Sequence, residues 1–140
     1  MRRTFALSLL AICVALGFTV IANEKPTVEY QNVMKSNGNT TGATGLRAHI
    51  TAKDYDAIAM DAVTLKVNFA KVEAFWTYKN MADAIDFAKA GGKAATDLGS
   101  AAMAKDDAGI AAATMAITPT CGGCHMAHRE SLPDRTFEIK

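Results

Sequence analysis

From Tyr55 onward, Ile58, Ala62, Leu65, Phe69, Val72 and Trp76 recur at alternating steps of three and four residues. An average step of 3.5 holds apolar side chains on one stripe of an α-helix and keeps that stripe facing its neighbours in a left-handed bundle. Lys53, Asp56, Lys66, Lys71 and Glu73 mostly lie elsewhere on the helix, and Asp54 is a good N-cap for it. The stripe therefore predicts a long amphipathic helix, B, whose apolar face is core; a coiled-coil dimer seam is the competing use.

Three further helices follow from weaker patterns. Pro26 suits a first helical turn, and Val28, Tyr30, Val33, Met34, Asn37, Thr41 and Leu46 continue at helical spacings to Ile50, giving helix A. Gly38, Gly42 and Gly45 weaken it, since each glycine costs roughly 1 kcal/mol against alanine in a helix interior, and they suggest that something packs on the backbone. Asn80 is expected to cap helix C, with Met81, Ala84, Ala88, Gly91, Ala95, Leu98 and Ala102 facing inward. After a break at Lys105-Asp106-Asp107, the residues Ile110, Ala113, Ile117, Cys121, Cys124 and His128 make the stripe of helix D, which Leu132-Pro133-Asp134 ends. Ala52-Lys53-Asp54 with Ile58-Ala59 recurs as Ala104-Lys105-Asp106 with Ile110-Ala111, each copy at a turn entering a helix.

Half of the 140 residues are hydrophobic but only 7% are aromatic, and much of the inward surface is Ala or Gly, which bury little area each. A bulky group is expected to complete the core. At the N-terminus, Arg2 and Arg3 precede an apolar run from Phe5 to Ile21, and Val20-Ile21-Ala22 offers a cleavage point. That pattern predicts a secretory signal over residues 1–22, removed with Cys13, and an exported, periplasmic domain over residues 23–140 with a short C-terminal tail. Cleavage would remove two arginines and no acid, taking the formal charge of +1 just below neutrality. Mixed charges with no basic concentration argue against a nucleic-acid partner, and no stable membrane insertion of the mature chain is expected.

The chemistry concentrates in Cys121-Gly122-Gly123-Cys124-His125. Two thiols at this spacing can add across the two vinyl groups of a haem, and the adjacent histidine then serves as proximal iron ligand. A redox disulfide would need an α/β pattern that the chain lacks. Zinc is the other alternative: Cys121, Cys124, His125 and His128 are four donors, but within eight residues and with no second, separated pair to close a tetrahedron.

This motif near the C-terminus of an exported helical bundle, with Arg129 four residues after the histidine, resembles the class II c-type cytochromes, the cytochrome c prime family. The resemblance covers essentially the whole mature chain and implies an all-α, antiparallel up-down-up-down four-helix bundle with one covalent haem c near the C-terminal helix. Tyr30-Gln31-Asn32-Val33-Met34-Lys35-Ser36-Asn37-Gly38 is similar to the family's distal segment, where low-spin members carry Met-Lys, as Met34-Lys35 does here. The resemblance thus implies His125 and Met34 as axial ligands, covalent attachment through Cys121 and Cys124, and Arg129 near a haem propionate. Two features depart from it: a short B–C connection around Phe75 to Asn80, and His128 where an aromatic is common.

Other residues carry plainer readings. Met60, Met81, Met103 and Met115 are packing residues. His49 would reach the iron only if helix A slid by several turns. His128 is expected either near the haem or in solvent, Phe75 and Trp76 in the core or at a bundle end, and Phe69 and Tyr30 against the porphyrin. The implied function is one-electron transfer to a redox partner protein. Its alternative is a five-coordinate haem protein binding nitric oxide or carbon monoxide, and a homodimer is a further expected partner. No catalytic triad, acid–base pair or substrate motif suggests an enzyme.

Overall fold

A computed structural model describes residues 23–140; the expected signal segment and Cys13 lie outside the described residues. The chain is an all-α four-helix bundle built from five helical segments: α1 (Val28–Thr41), α2 (Leu46–Ala52), α3 (Tyr55–Tyr78), α4 (Ala82–Met103) and α5 (Asp107–His128). Helix α3 packs on α4, α4 on α5, and the first arm, α1 with α2, lies on α3. Helices α1 and α5 scarcely touch one another.

The stripe on α3 is buried as the periodicity requires: Ile58, Ala62, Leu65, Phe69, Val72 and Trp76 all lie inside, so this face is core and no dimer seam. Asp54 caps α3 by accepting from the Ala57 amide at 3.0 Å, and Asp106 caps α5 by accepting from Ala108 at 3.1 Å. Lys53 and Lys105, the preceding residues, both adopt the left-handed conformation, at φ 52° and 53°. The repeated Ala-Lys-Asp segment thus marks two equivalent turns at one end of the bundle. Asp107 joins them, accepting from Lys53 Nζ at 2.5 Å and from the Tyr55 hydroxyl at 2.9 Å.

Three boundaries differ from expectation. The first arm breaks at Gly42–Gly45, where a Cβ on Gly42 would lie 2.9 Å from the Gly38 carbonyl and one on Gly45 2.4 Å from that of Thr40. These glycines serve the break between α1 and α2, rather than close packing along a continuous helix. Asn80 does not cap α4; at φ 55° it ends α3, a position in which asparagine is well tolerated, and Met81 precedes α4 without a side-chain cap.

The tail is the third difference. Helix α5 runs through Pro119 to His128, and the chain then forms a hairpin of β1 (Arg129–Ser131) and β2 (Phe137–Ile139) in the register Arg129↔Ile139, Glu130↔Glu138, Ser131↔Phe137. Glu24 and Ile139 exchange backbone hydrogen bonds of 3.0 and 2.8 Å, and Lys79 pairs with Glu24. Ile139 is consequently buried against Tyr30, Val33, Val72, Trp76, Ala84 and Ala88, so both ends of the described chain are pinned at one end of the bundle.

Candidate functional site

The loose contact between α1 and α5 leaves two cavities, of about 200 and 230 Å³, that share Tyr30, Met34, Gly38, Cys124 and His125 in their walls. The first also meets Asn37, Phe69, Val72, Phe87, Ala88, Thr120 and Cys121, and the second meets Trp76, His128, Arg129, Phe137 and Ile139. Gly38 helps keep this space open, because a Cβ built on it would meet nothing within 4 Å. Together the cavities fall in the roughly 300–1,000 Å³ range of cofactor and ligand pockets.

Helix α5 brings Cys121, Cys124 and His125 to one wall, and α1 brings Met34 to another. Both cysteines are free thiols, partly buried. Burial, then the nearby Asp83 and Cys121, push the Cys124 thiol up to about 11. Burial also raises Cys121, against a hydrogen bond with Thr120. Thr120 is itself fixed by donating to the Ile117 carbonyl at 2.7 Å. His125 stays exposed at the rim, yet partial desolvation, then the charge of Arg129, lowers its pKa and favours the neutral imidazole that metals bind. Gly123, inside the motif, is required sterically: a Cβ there would lie 2.5 Å from the Phe87 ring.

Arg129 sits over the Phe137 ring, Cζ 4.6 Å from its centroid, which holds the guanidinium at the mouth of the second cavity. His128, of the two expected placements, is buried in the wall of that cavity, with Nε2 2.8 Å from Asp83 Oδ2 and its ring 4.8 Å from that of Trp76. Burial opposes ionisation of Asp83, but the His128 hydrogen bond and charge, with backbone amides of Ala84 and Asp83 itself, hold the carboxyl below its usual range. His49 lies on α2, outside both cavity walls, with Nδ1 2.7 Å from Asp61 Oδ2. Met60, Met103 and Met115 are exposed on the surface, not packed as expected, while Met81 packs against the core.

Sequence reasoning gave Phe87 no role and placed Asn37 on helix A and in the distal-like segment without assigning it to the cavity wall. Asn37 is buried and accepts from Asn68 Nδ2 at 2.9 Å, which also donates to Ser36 Oγ at 2.9 Å. Its helical spacing from Met34 carried the only local signal. Phe87 is the one aromatic on α4, whose buried residues are Ala or Gly apart from Leu98. Tyr30 and Phe69 do face the cavity; Tyr30 stacks on Phe75 at 4.0 Å and accepts from Trp76 Nε1 at 3.0 Å. Burial, then Cys124, raises the Tyr30 phenol well above its ordinary range, so it stays neutral.

Among the described residues, no three or more His, Cys, Asp or Glu side chains gather where they could hold a metal ion. No described helix is long and apolar enough to cross a membrane. Compared with known proteins, the chain matches no family model, no curated protein and no solved structure.

Proposed function

We propose that the protein is an exported monohaem c-type cytochrome that carries single electrons between redox partners in the periplasm. The observation that carries this reading is the sharing of one cavity system by Cys121, Cys124 and His125 from α5 and Met34 from α1. The residues present suit haem: two thiols three positions apart on one helix, a neutral imidazole beside them, a thioether on another wall, and aromatic and aliphatic side chains between.

Bound haem would supply the ferrous–ferric couple. Cys121 and Cys124 would anchor it, each adding its S–H across a vinyl group. His125, through a ring nitrogen, and Met34, through its thioether sulfur, would be the residues that hold the iron, and a thioether would raise the potential relative to a second imidazole. Phe69, Val72 and Ala88 would exclude water, and Arg129, held at the rim, would face a propionate carboxylate.

Mass spectrometry of protein from a maturation-competent host should give the polypeptide plus one haem; an unmodified mass with two alkylatable thiols would refute the proposal. Replacing Met34 by alanine should leave the haem attached, convert ferric iron to high spin, lower the reduction potential and admit carbon monoxide. An unchanged spin state and potential would make Met34 a packing residue and shift the reading to gas binding at a five-coordinate iron.

A further inference from the structure

The buried residues of α1 are Tyr30, Val33 and Asn37, so its third inward position is a polar amide. That amide meets Asn68, the one polar residue among the buried positions of α3. Asn37 and Asn68 are only 8% and 7% exposed, and Asn68 Nδ2 donates to Asn37 Oδ1 and to Ser36 Oγ, each at 2.9 Å. Burying amides costs free energy that an apolar pair would not, and either group becomes a liability once its partner is lost. The best-attested use of such a buried polar bridge between helices is to fix their register.

Register matters here because of what α1 carries. Met34 lies between two polar tethers to α3: the Tyr30 hydroxyl, four residues before it, accepts from Trp76 Nε1 at 3.0 Å, and Ser36 and Asn37, two and three residues after it, accept from Asn68. The tethers lie about two turns apart on both helices, which run antiparallel. Other supports are few, since α1 packs on α3, scarcely touches α5 and ends at the break before α2. Apolar contacts tolerate sliding and rotation. A turn of α1 by one residue, about 100°, would bring Val33 or Lys35 to the cavity wall in place of Met34.

We infer that Asn68 is a positioning residue: through Ser36 and Asn37 it fixes the rotation of α1 that keeps Met34 in the wall of both cavities. The use made of Met34 rests on the cytochrome reading, in which a small misplacement of the sulfur would forfeit its bond to iron. Its placement by Asn68 depends on no cofactor.

The test compares the parent, Asn68→Leu, and Asn68→Leu combined with Asn37→Leu. The single change leaves Asn37 Oδ1 without its donor and should lower the melting temperature, whereas the pair removes both polar partners and should recover it. The place of Met34 is read separately, from nuclear Overhauser contacts of its ε-methyl group to the cluster of Val72, Trp76 and Ala88 against which it packs, in the reduced protein with or without haem. These contacts should be present in the parent and lost in both variants. In haem-loaded protein the sulfur-to-iron absorption band should weaken about tenfold in both variants, with the haem still attached. A double variant that recovered the melting temperature and kept the methyl contacts would overturn the inference, making the bridge a stabilising contact and nothing more. So would methyl contacts that survive Asn68→Leu. Parent protein with the methyl contacts but no sulfur-to-iron band would count against Met34 as a ligand, and the variants would still decide the role of Asn68 from the methyl contacts.

Discussion

The two ends of the bundle are filled differently. At the end nearer the Ala-Lys-Asp turns, Leu46, Ile58, Leu65, Phe69, Leu98, Ile110 and Ile117 join one continuous apolar cluster. At the other end a smaller cluster, Tyr30, Val33, Val72, Trp76, Ala84, Ala88 and Ile139, surrounds open volume with polar groups on its walls. Glycines illustrate the contrast. Gly91 exists because the Phe69 ring occupies the place of its side chain, 2.3 Å from a would-be Cβ, whereas Gly38 faces empty space. One end is specified by close packing, the other by what it leaves room for.

Truncation should expose this difference most strongly. Leu65 is fully buried in the dense cluster, so Leu65→Ala should cost about 2–5 kcal/mol, measured by urea unfolding. Val72→Ala, beside the cavity, should cost less, because its neighbours already border open volume; equal costs would break the comparison. Overpacking comes next. Gly91→Ala gains helix propensity but drives a methyl into Phe69, and a net loss of about 1–3 kcal/mol is expected from the same measurement. In the haem-free protein, Gly38→Ala meets no obstruction and should stabilise the fold by up to about 1 kcal/mol. If both glycine variants of the haem-free protein were destabilised alike, the space beside Gly38 would not be open in solution.

The smallest effect concerns the polar wall. The carboxyl of Asp83 titrates below its ordinary value when folded, so the stability it contributes is present above the unfolded value of about 3.9 and is lost as pH falls through the folded one. Asp83→Asn should therefore melt lower than the parent at neutral pH, and the two melting curves should converge in acid. A gap that persisted unchanged below the carboxylate range would mean that Asp83 acts by shape rather than charge.

Much of this was legible beforehand. The inner stripe of α3 is stated by its own spacing, the small inward face of α4 by its alanines, and the turns at Lys53 and Lys105 by repeated caps. Cys121, Cys124 and His125 were recognisable because their grouping is local, and the segment around Met34 pointed to the wall where Met34 lies. The break at Gly42–Gly45 was visible as glycine but not as a corner, since weak propensity alone does not say where a helix turns.

By itself the sequence determined the helices, their inward faces and the five-residue group of thiols and imidazole, because each depends on neighbours within a turn or two. Only the tertiary structure decided that His128 is buried against Asp83 and Trp76, that Phe87 needs Gly123, and that the tail returns to pair with β1 and Glu24. The contacts of His128, of Phe87 and of Glu24 join segments distant in the chain, and although β1 and β2 are close in sequence, a three-residue strand such as Phe137–Ile139 is too short for periodicity to announce. Such contacts exist only once the bundle has brought their partners within reach, so no local pattern in the sequence encodes them.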